Sequence, residues 1–172
     1  MSKTVNQNNP LFRYMRQPKI YISLPSKGNY WPVGSIDIPE NGQLPVYSMT
    51  AKDEIMFKTP DALMNGQAIV DVIQSCVPNI KNAWNCPSID VDMILIAIRL
   101  ATYGEMMKTP VQFGDLELEY NLDLRLILDS LQNQISWDPA VVINNELTVF
   151  VKPLTYMNNS GIVVREIMEW YK

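Results

Sequence analysis

The stretch Asp90-Val91-Asp92-Met93-Ile94-Leu95-Ile96-Ala97-Ile98-Arg99-Leu100-Ala101-Thr102-Tyr103-Gly104 decides how this chain is read. Asp90 is placed to cap a helix and Gly104 to stop it. Val91, Ile94, Leu95, Ile98 and Ala101 form one face, and Met93, Ile96, Leu100 and Tyr103 cover the other. A helix apolar on all sides is buried in its own domain or in a partner interface. Twelve residues later the period changes from helical to two. Leu116, Leu118, Tyr120, Leu122 and Leu124 alternate with Glu117, Glu119, Asn121 and Asp123, which reads as a half-buried strand with an acidic outer face. A buried helix followed by an amphipathic strand points to an α+β fold.

Upstream of that helix the spacing predicts two more. Thr50-Ala51-Lys52-Asp53 is a capping-box variant opening a short helix from about Ala51 to Phe57. Thr59 then caps a helix with Pro60 at its first position. Its apolar residues Ala62, Ile69, Val70, Ile73, Cys76 and Val77 recur at helical spacing, and Pro78 closes it. Nearer the N-terminus, Lys19 to Leu24 alternates as a short strand. The loop Leu24-Pro25-Ser26-Lys27-Gly28-Asn29-Tyr30-Trp31-Pro32 follows. Val33 to Ile38 is expected as a strand, with Leu44 to Met49 as its hairpin partner and Pro45 confining that partner to an edge. Downstream, Arg125 to Ile135 reads as a helix with Leu128, Leu131 and Ile135 inward. Val141–Ile143 and Leu147–Val151 flank a tight turn at Asn144-Asn145. Asn159 or Ser160 is placed to cap a last helix carrying Val163, Val164, Ile167, Met168 and Trp170.

The expected architecture is a small helical core of three to five helices, packed with short antiparallel strands and preceded by an extended N-terminal arm. Residues 1–19 form the basic arm and 20–172 a single α+β domain. Within it, 20–49 hold strands and the aromatic loop, 50–104 the helical core, and 110–172 a strand-helix-hairpin-helix run. The 172 residues are enough to bury a real core. The most apolar run, Met93 to Ala101, is too short to span a bilayer and carries Arg99. The N-terminus has no secretory apolar segment.

Charge is unevenly spread. The chain has 14 basic and 18 acidic residues, net -4. Residues 1–36 hold Lys3, Arg13, Arg16, Lys19 and Lys27 and no acid, so the remainder carries nine bases against all the acids. A basic arm on an acidic body suits docking on a like body next door, or on nucleic acid. Against the second reading, the arm lacks the dense basic clusters that phosphate contacts need. Ten methionines add adaptable apolar surface. The candidate interaction residues are Arg13, Tyr14, Arg16, Lys19, Lys27, Tyr30 and Trp31, the aromatics being common interface anchors.

Catalysis finds little support. The chain has no histidine, which removes Ser-His-Asp and Cys-His nucleophiles. Two cysteines, Cys76 and Cys86, cannot complete an all-thiolate zinc site, and they suit a reducing compartment of synthesis. Cys76 falls at an apolar helical position. Cys86, before Pro87, lies in a loop and could be exposed, with nothing nearby to activate it. Glu117 and Glu119 share a strand face, but their alternation with leucines is explained by an amphipathic strand. No cofactor, metal or catalytic residue is therefore assigned.

Across Ile22 to Tyr120 the chain resembles the small baseplate hub and hub-assembly proteins of T4-like contractile-tailed bacteriophages, most of all the distal hub subunit at the tail tip. The resemblance is carried by Leu24-Pro25-Ser26-Lys27-Gly28-Asn29-Tyr30-Trp31, Met49-Thr50-Ala51-Lys52-Asp53-Glu54, Leu63-Met64-Asn65-Gly66-Gln67-Ala68-Ile69 with Ser75-Cys76-Val77, and Ile96-Ala97-Ile98-Arg99 with Thr102-Tyr103-Gly104. Several such proteins carry Cys-x-x-Cys after the Tyr-Gly helix end. Here that stretch reads Val111-Gln112-Phe113-Gly114-Asp115-Leu116, so no metal is carried over. The resemblance implies a structural, non-enzymatic virion protein of the tail baseplate hub, made in the host cytoplasm. Its implied partners are other hub subunits and the tape-measure protein, in a cyclic homo-oligomer of threefold or sixfold symmetry. The alternative is a transient tail-assembly chaperone for the hub or tape-measure protein. A carboxylate-dependent hydrolase ranks behind both.

Overall fold

The computed structural model describes residues 15–114, 116–133, 139–144 and 146–160. Among them the fold is α+β: a small helical core with three two-stranded antiparallel sheets. Strands β1 (Ile20–Ile22) and β2 (Leu44–Val46) pair, with Ile22 opposite Leu44 and Pro45 opposite Tyr21. Helices α1 (Ala51–Phe57), α2 (Pro60–Met64), α3 (Gln67–Cys76) and α4 (Ser88–Tyr103) follow, with a 3-10 turn at Ala83–Asn85. Next come the hairpin β3 (Met106–Phe113) and β4 (Leu116–Asp123), helix α5 (Leu124–Gln132), the short hairpin β5 (Ala140–Val142) and β6 (Thr148–Phe150), and a helical turn at 156–160.

The core lies where α3 and α4 meet the β1–β2 ribbon. Val70, Val72, Ile73 and Cys76 of α3 face Met93, Ile94, Ala97 and Ile98 of α4, with Ile22, Leu44 and Val46 closing the layer and Leu128 of α5 sealing one end. The apolar spacing in α3 and α4 creates this arrangement, since one stripe of each helix must leave water. Local signals set the ends. Thr50 Oγ1 accepts from the Asp53 N–H and the Asp53 side chain accepts from the Thr50 N–H, which starts α1 as expected. Gly104, at φ 87°, ends α4.

Several expectations are corrected. Val33–Ile38 forms no regular strand and does not pair with β2. Ile36 makes an isolated bridge to Ile80, and Asp37 N–H donates to the Asn79 carbonyl at 2.9 Å. The β2 edge that this segment was expected to take is filled by β1. The helix expected from Pro60 to Val77 is two helices, broken at Asn65-Gly66, where Gly66 has φ 77° and the Asn65 side chain accepts from the Gln67 N–H. Asn-Gly is itself a turn signal. Asp90 is not a cap: α4 begins at Ser88, and the Asp90 side chain is turned inside. Cys86 is fully buried, not exposed. The last helical turn begins at 156, before the expected caps. Its expected apolar residues from Val163 onward lie outside the described residues, as does Ile135.

The loop from Leu24 to Trp31 is a run of turns containing three residues at positive φ, Lys27, Gly28 and Tyr30. At Gly28 (φ 84°) a Cβ would also collide with the end of Ile38. Gly28→Ala is therefore expected to cost about 1–2 kcal/mol, because left-handed backbone disfavours any Cβ and Ile38 must give way. Urea denaturation checks this, and an unchanged midpoint would contradict it.

Candidate functional site

Three surfaces hold the residues of interest: the seat of the arm, a groove beside α4, and the β3–β4 hairpin. Residues 15–19 run irregularly up to β1. There Arg16 is clamped to its own chain. Its Nη1 donates to the Ser75 carbonyl at 2.7 Å, its Nη2 donates to the Ser48 carbonyl, and its guanidinium lies 5.5 Å from the Tyr47 ring centre. Nη2 also stands 3.9 Å from the Asp53 carboxylate. Asp53 is buried, and accepts from Thr50 N–H, Thr50 Oγ1 and Ser75 Oγ. Burial pushes the Asp53 carboxyl up, but the Thr50 and Ser75 hydrogen bonds and the Arg16 charge outweigh it and hold the group below its ordinary value. The clamp ties Arg16 to the start of α1 and the end of α3.

The other expected contact residues separate. Arg13 and Tyr14 lie outside the described residues. Lys19 and Lys27 present exposed side chains, and Tyr30, in the turn run, is half-buried. Trp31 is enclosed in the core, where its indole N–H donates to Asp90 at 2.8 Å. Asp90 also accepts from Ser26 N–H at 2.9 Å and Ser26 Oγ at 2.5 Å. Burial raises the Asp90 carboxyl above its ordinary value despite these three donors. Asp90 and Trp31 therefore hold the aromatic loop in place rather than present it. Both thiols are buried. Burial lifts Cys76 to about 11, and Cys86 is raised as well, with Asp90 adding to the effect, so both stay protonated at neutral pH.

The groove is lined by Phe57, Ile69, Val72, Leu95 and Ile98, with Glu54, Lys58 and Arg99 at its rim, and has a volume of about 430 Å³. It is the open side of the all-round apolar helix α4. Arg99 stacks on Tyr103 at 4.3 Å, and its Nη1 is enclosed with no hydrogen-bond partner among the described residues. The lone cation in the apolar run was the sequence signal for this position, but it carried no role.

The β3–β4 hairpin departs most from expectation. The alternation in β4 is real, and its partner strand β3 was not foreseen. Yet β4 is not half-buried: Leu116 is 65% exposed, Leu118 55% and Tyr120 60%. Val111 stands opposite Leu118, and Thr109 opposite Tyr120, so these side chains share one apolar face. The other face carries Glu117, Glu119 paired to Lys108 at 2.9 Å, and Asn121. An isolated two-stranded hairpin is marginal in water. Covering each aliphatic side chain fully would stabilise by roughly 1.5–3 kcal/mol. Chemically the surface can bind; Glu117 and Glu119 are exposed on it. Among the described residues no group of His, Cys, Asp and Glu is placed to hold a metal ion, and no helix is long and apolar enough to cross a membrane.

Comparison with known proteins gives two kinds of likeness. A family described as T4 bacteriophage base plate protein matches residues 35–167, most of the chain. Short similarities connect it to peptidyl-tRNA hydrolases. That of Mycoplasma capricolum subsp. capricolum is 58% identical over 31 residues, covering 18% of this chain and 17% of that protein. That of Mesoplasma florum is 63% identical over 30 residues, covering 17% and 16%. The chain thus spans about a sixth of the length of these relatives. No solved structure matches.

Proposed function

The chain belongs to the T4 bacteriophage base plate protein family, and from that premise we propose that it is a structural subunit of the baseplate hub at the tip of a contractile tail. A baseplate protein acts through contacts with other baseplate components. The proposal gives this one the hub position, other hub subunits and the tape-measure protein as partners, a cyclic arrangement of copies, and no catalytic activity. The observation that carries it is the family match over residues 35–167, which includes the groove and the uncovered β3–β4 hairpin. A contiguous apolar strand face left in solvent marks an interaction surface.

Quantitative mass spectrometry of purified virions, with a cryo-EM map of the tail tip, tests the reading. The chain is expected in a fixed ratio to the known tail proteins and at the hub. Absence from mature particles, with the chain instead in a soluble complex with a hub or tape-measure protein, would overturn it in favour of the chaperone. A hydrolase working through Glu117 and Glu119 has less support, since Glu119 is engaged by Lys108 and both lie on an open strand face. The partial likeness to peptidyl-tRNA hydrolases brings no activity into the proposal, because it covers so little of those proteins.

A further inference from the structure

We propose that the outer edge of β4 accepts the N-terminal arm of a second copy of this chain as a third strand. Among the described residues the hairpin has two open edges, and they are not equivalent. Pro110 stands opposite Glu119. Lacking an N–H, Pro110 cannot take part in a hydrogen-bonded pair, so this pair is of the other kind. Alternation then turns the backbone groups of Lys108 and Pro110 outward on β3, and those of Glu117, Glu119 and Asn121 outward on β4. The β3 edge is blunted by Pro110 at its middle. The β4 edge keeps its outward donors and acceptors and is open to another strand.

Charge and pattern name the occupant. The β4 edge carries Glu117 and Glu119 on one face and Leu118 and Tyr120 on the other. Acids along an edge oppose pairing with a second β4. The arm has Lys3 and Arg13 and no acid. Its run Phe12-Arg13-Tyr14 alternates to match: as a strand, Phe12 and Tyr14 extend the Leu118–Tyr120 face, while Arg13 falls on the face of Glu117 and Glu119. Pro10 limits the added strand on one side, and the Arg16 clamp limits it on the other. Arg16 is fixed to the α1–α3 side of its own body, and the proposal gives the accepting hairpin to a neighbour lying against that side. The contact joins two different surfaces, the kind that builds a ring where the rotation between copies closes. This rests on the baseplate reading only for bringing copies side by side.

Sedimentation velocity of the full chain over a range of concentrations tests it. The wild type is expected to associate. Asn121→Pro removes one outward donor and no charge, and leaves the β3–β4 ladder intact, so it is expected to sediment as a monomer with an unchanged circular dichroism spectrum. Arg13→Glu and Glu117→Arg are each expected to weaken association roughly tenfold, and the two together to restore it. A wild type that stays monomeric, a double variant that is not restored, or charge effects independent of concentration (the arm folding onto its own hairpin) would each overturn the proposal. A chain missing from virions that still assembled this way would sink the hub reading and leave this one standing.

Discussion

Asp90→Ala is expected to be among the most damaging single changes in this protein, lowering stability by about 3 kcal/mol and Tm by roughly 10 °C. Among the described residues the Asp90 carboxylate is the acceptor for three buried donors, Ser26 N–H, Ser26 Oγ–H and Trp31 Nε1–H, at 2.9, 2.5 and 2.8 Å. Each donor left without a partner costs about 1–3 kcal/mol. Part of that is offset because the variant no longer buries a charge. Asp90→Asn keeps one acceptor but turns an NH₂ toward donors, so an intermediate loss is expected. The two variants also differ from wild type in pH dependence. Burial raises the folded-state value of Asp90 above the ordinary 3.8. The folded state then binds the proton more tightly than the unfolded chain. This group's contribution therefore falls as pH rises from 3.8 to the raised value, and is constant above it. Neither variant has that slope. Thermal denaturation at several pH values measures both effects, and a Tm for Asp90→Ala within about 2 °C of wild type would refute the assignment.

How much of this could be read from sequence depends on how far apart the deciding residues are. The α1 start was legible because Thr50 and Asp53 are three residues apart, and the α4 stop because Gly104 acts alone. The break between α2 and α3 was also local, but the long apolar period running through Asn65-Gly66 hid it. The other misreadings are long-range. The Val33–Ile38 segment has a strand's composition, yet β1 competes for the same edge and wins. Asp90 has a helix cap's address, but its function is set by Ser26 and Trp31, which are more than 50 positions away. In the candidate site, aromatic type marked Trp31 and charge marked Arg16. Neither property says whether a side chain faces a neighbour or its own body, and both turn inward. In β4 the alternation was read correctly and its burial was not. Period-two patterning states that one face wants to leave water, and does not state that the same chain covers it.

Asp53→Ala is the second large loss expected, about 2–3 kcal/mol, since it removes half of a capping box and a charged hydrogen-bond acceptor together. Asp53 Oδ2 accepts from Thr50 N–H at 2.7 Å, Thr50 Oγ1 at 2.8 Å and Ser75 Oγ at 3.0 Å, tying the α1 start to the α3 end. Its folded-state value lies below the ordinary 3.8. The sign is opposite to that of Asp90: the stabilisation is complete above 3.8 and is lost as pH falls through the lowered value. The acid limb of the wild-type stability curve thus contains two opposed contributions, which the two variants separate. Arg16 stands 3.9 Å from the same carboxylate, and its other bonds, to Ser75 and Ser48, do not depend on it. A double-mutant cycle with Arg16→Ala is therefore expected to give a modest coupling, about 0.5–1 kcal/mol. The cycle has a second readout. If the clamp sets where the arm leaves the body, Arg16→Ala weakens self-association while β4 and residues 1–14 stay intact. Association unaffected by loss of Arg16 would separate the clamp from assembly and leave it a purely structural tie between α1 and α3.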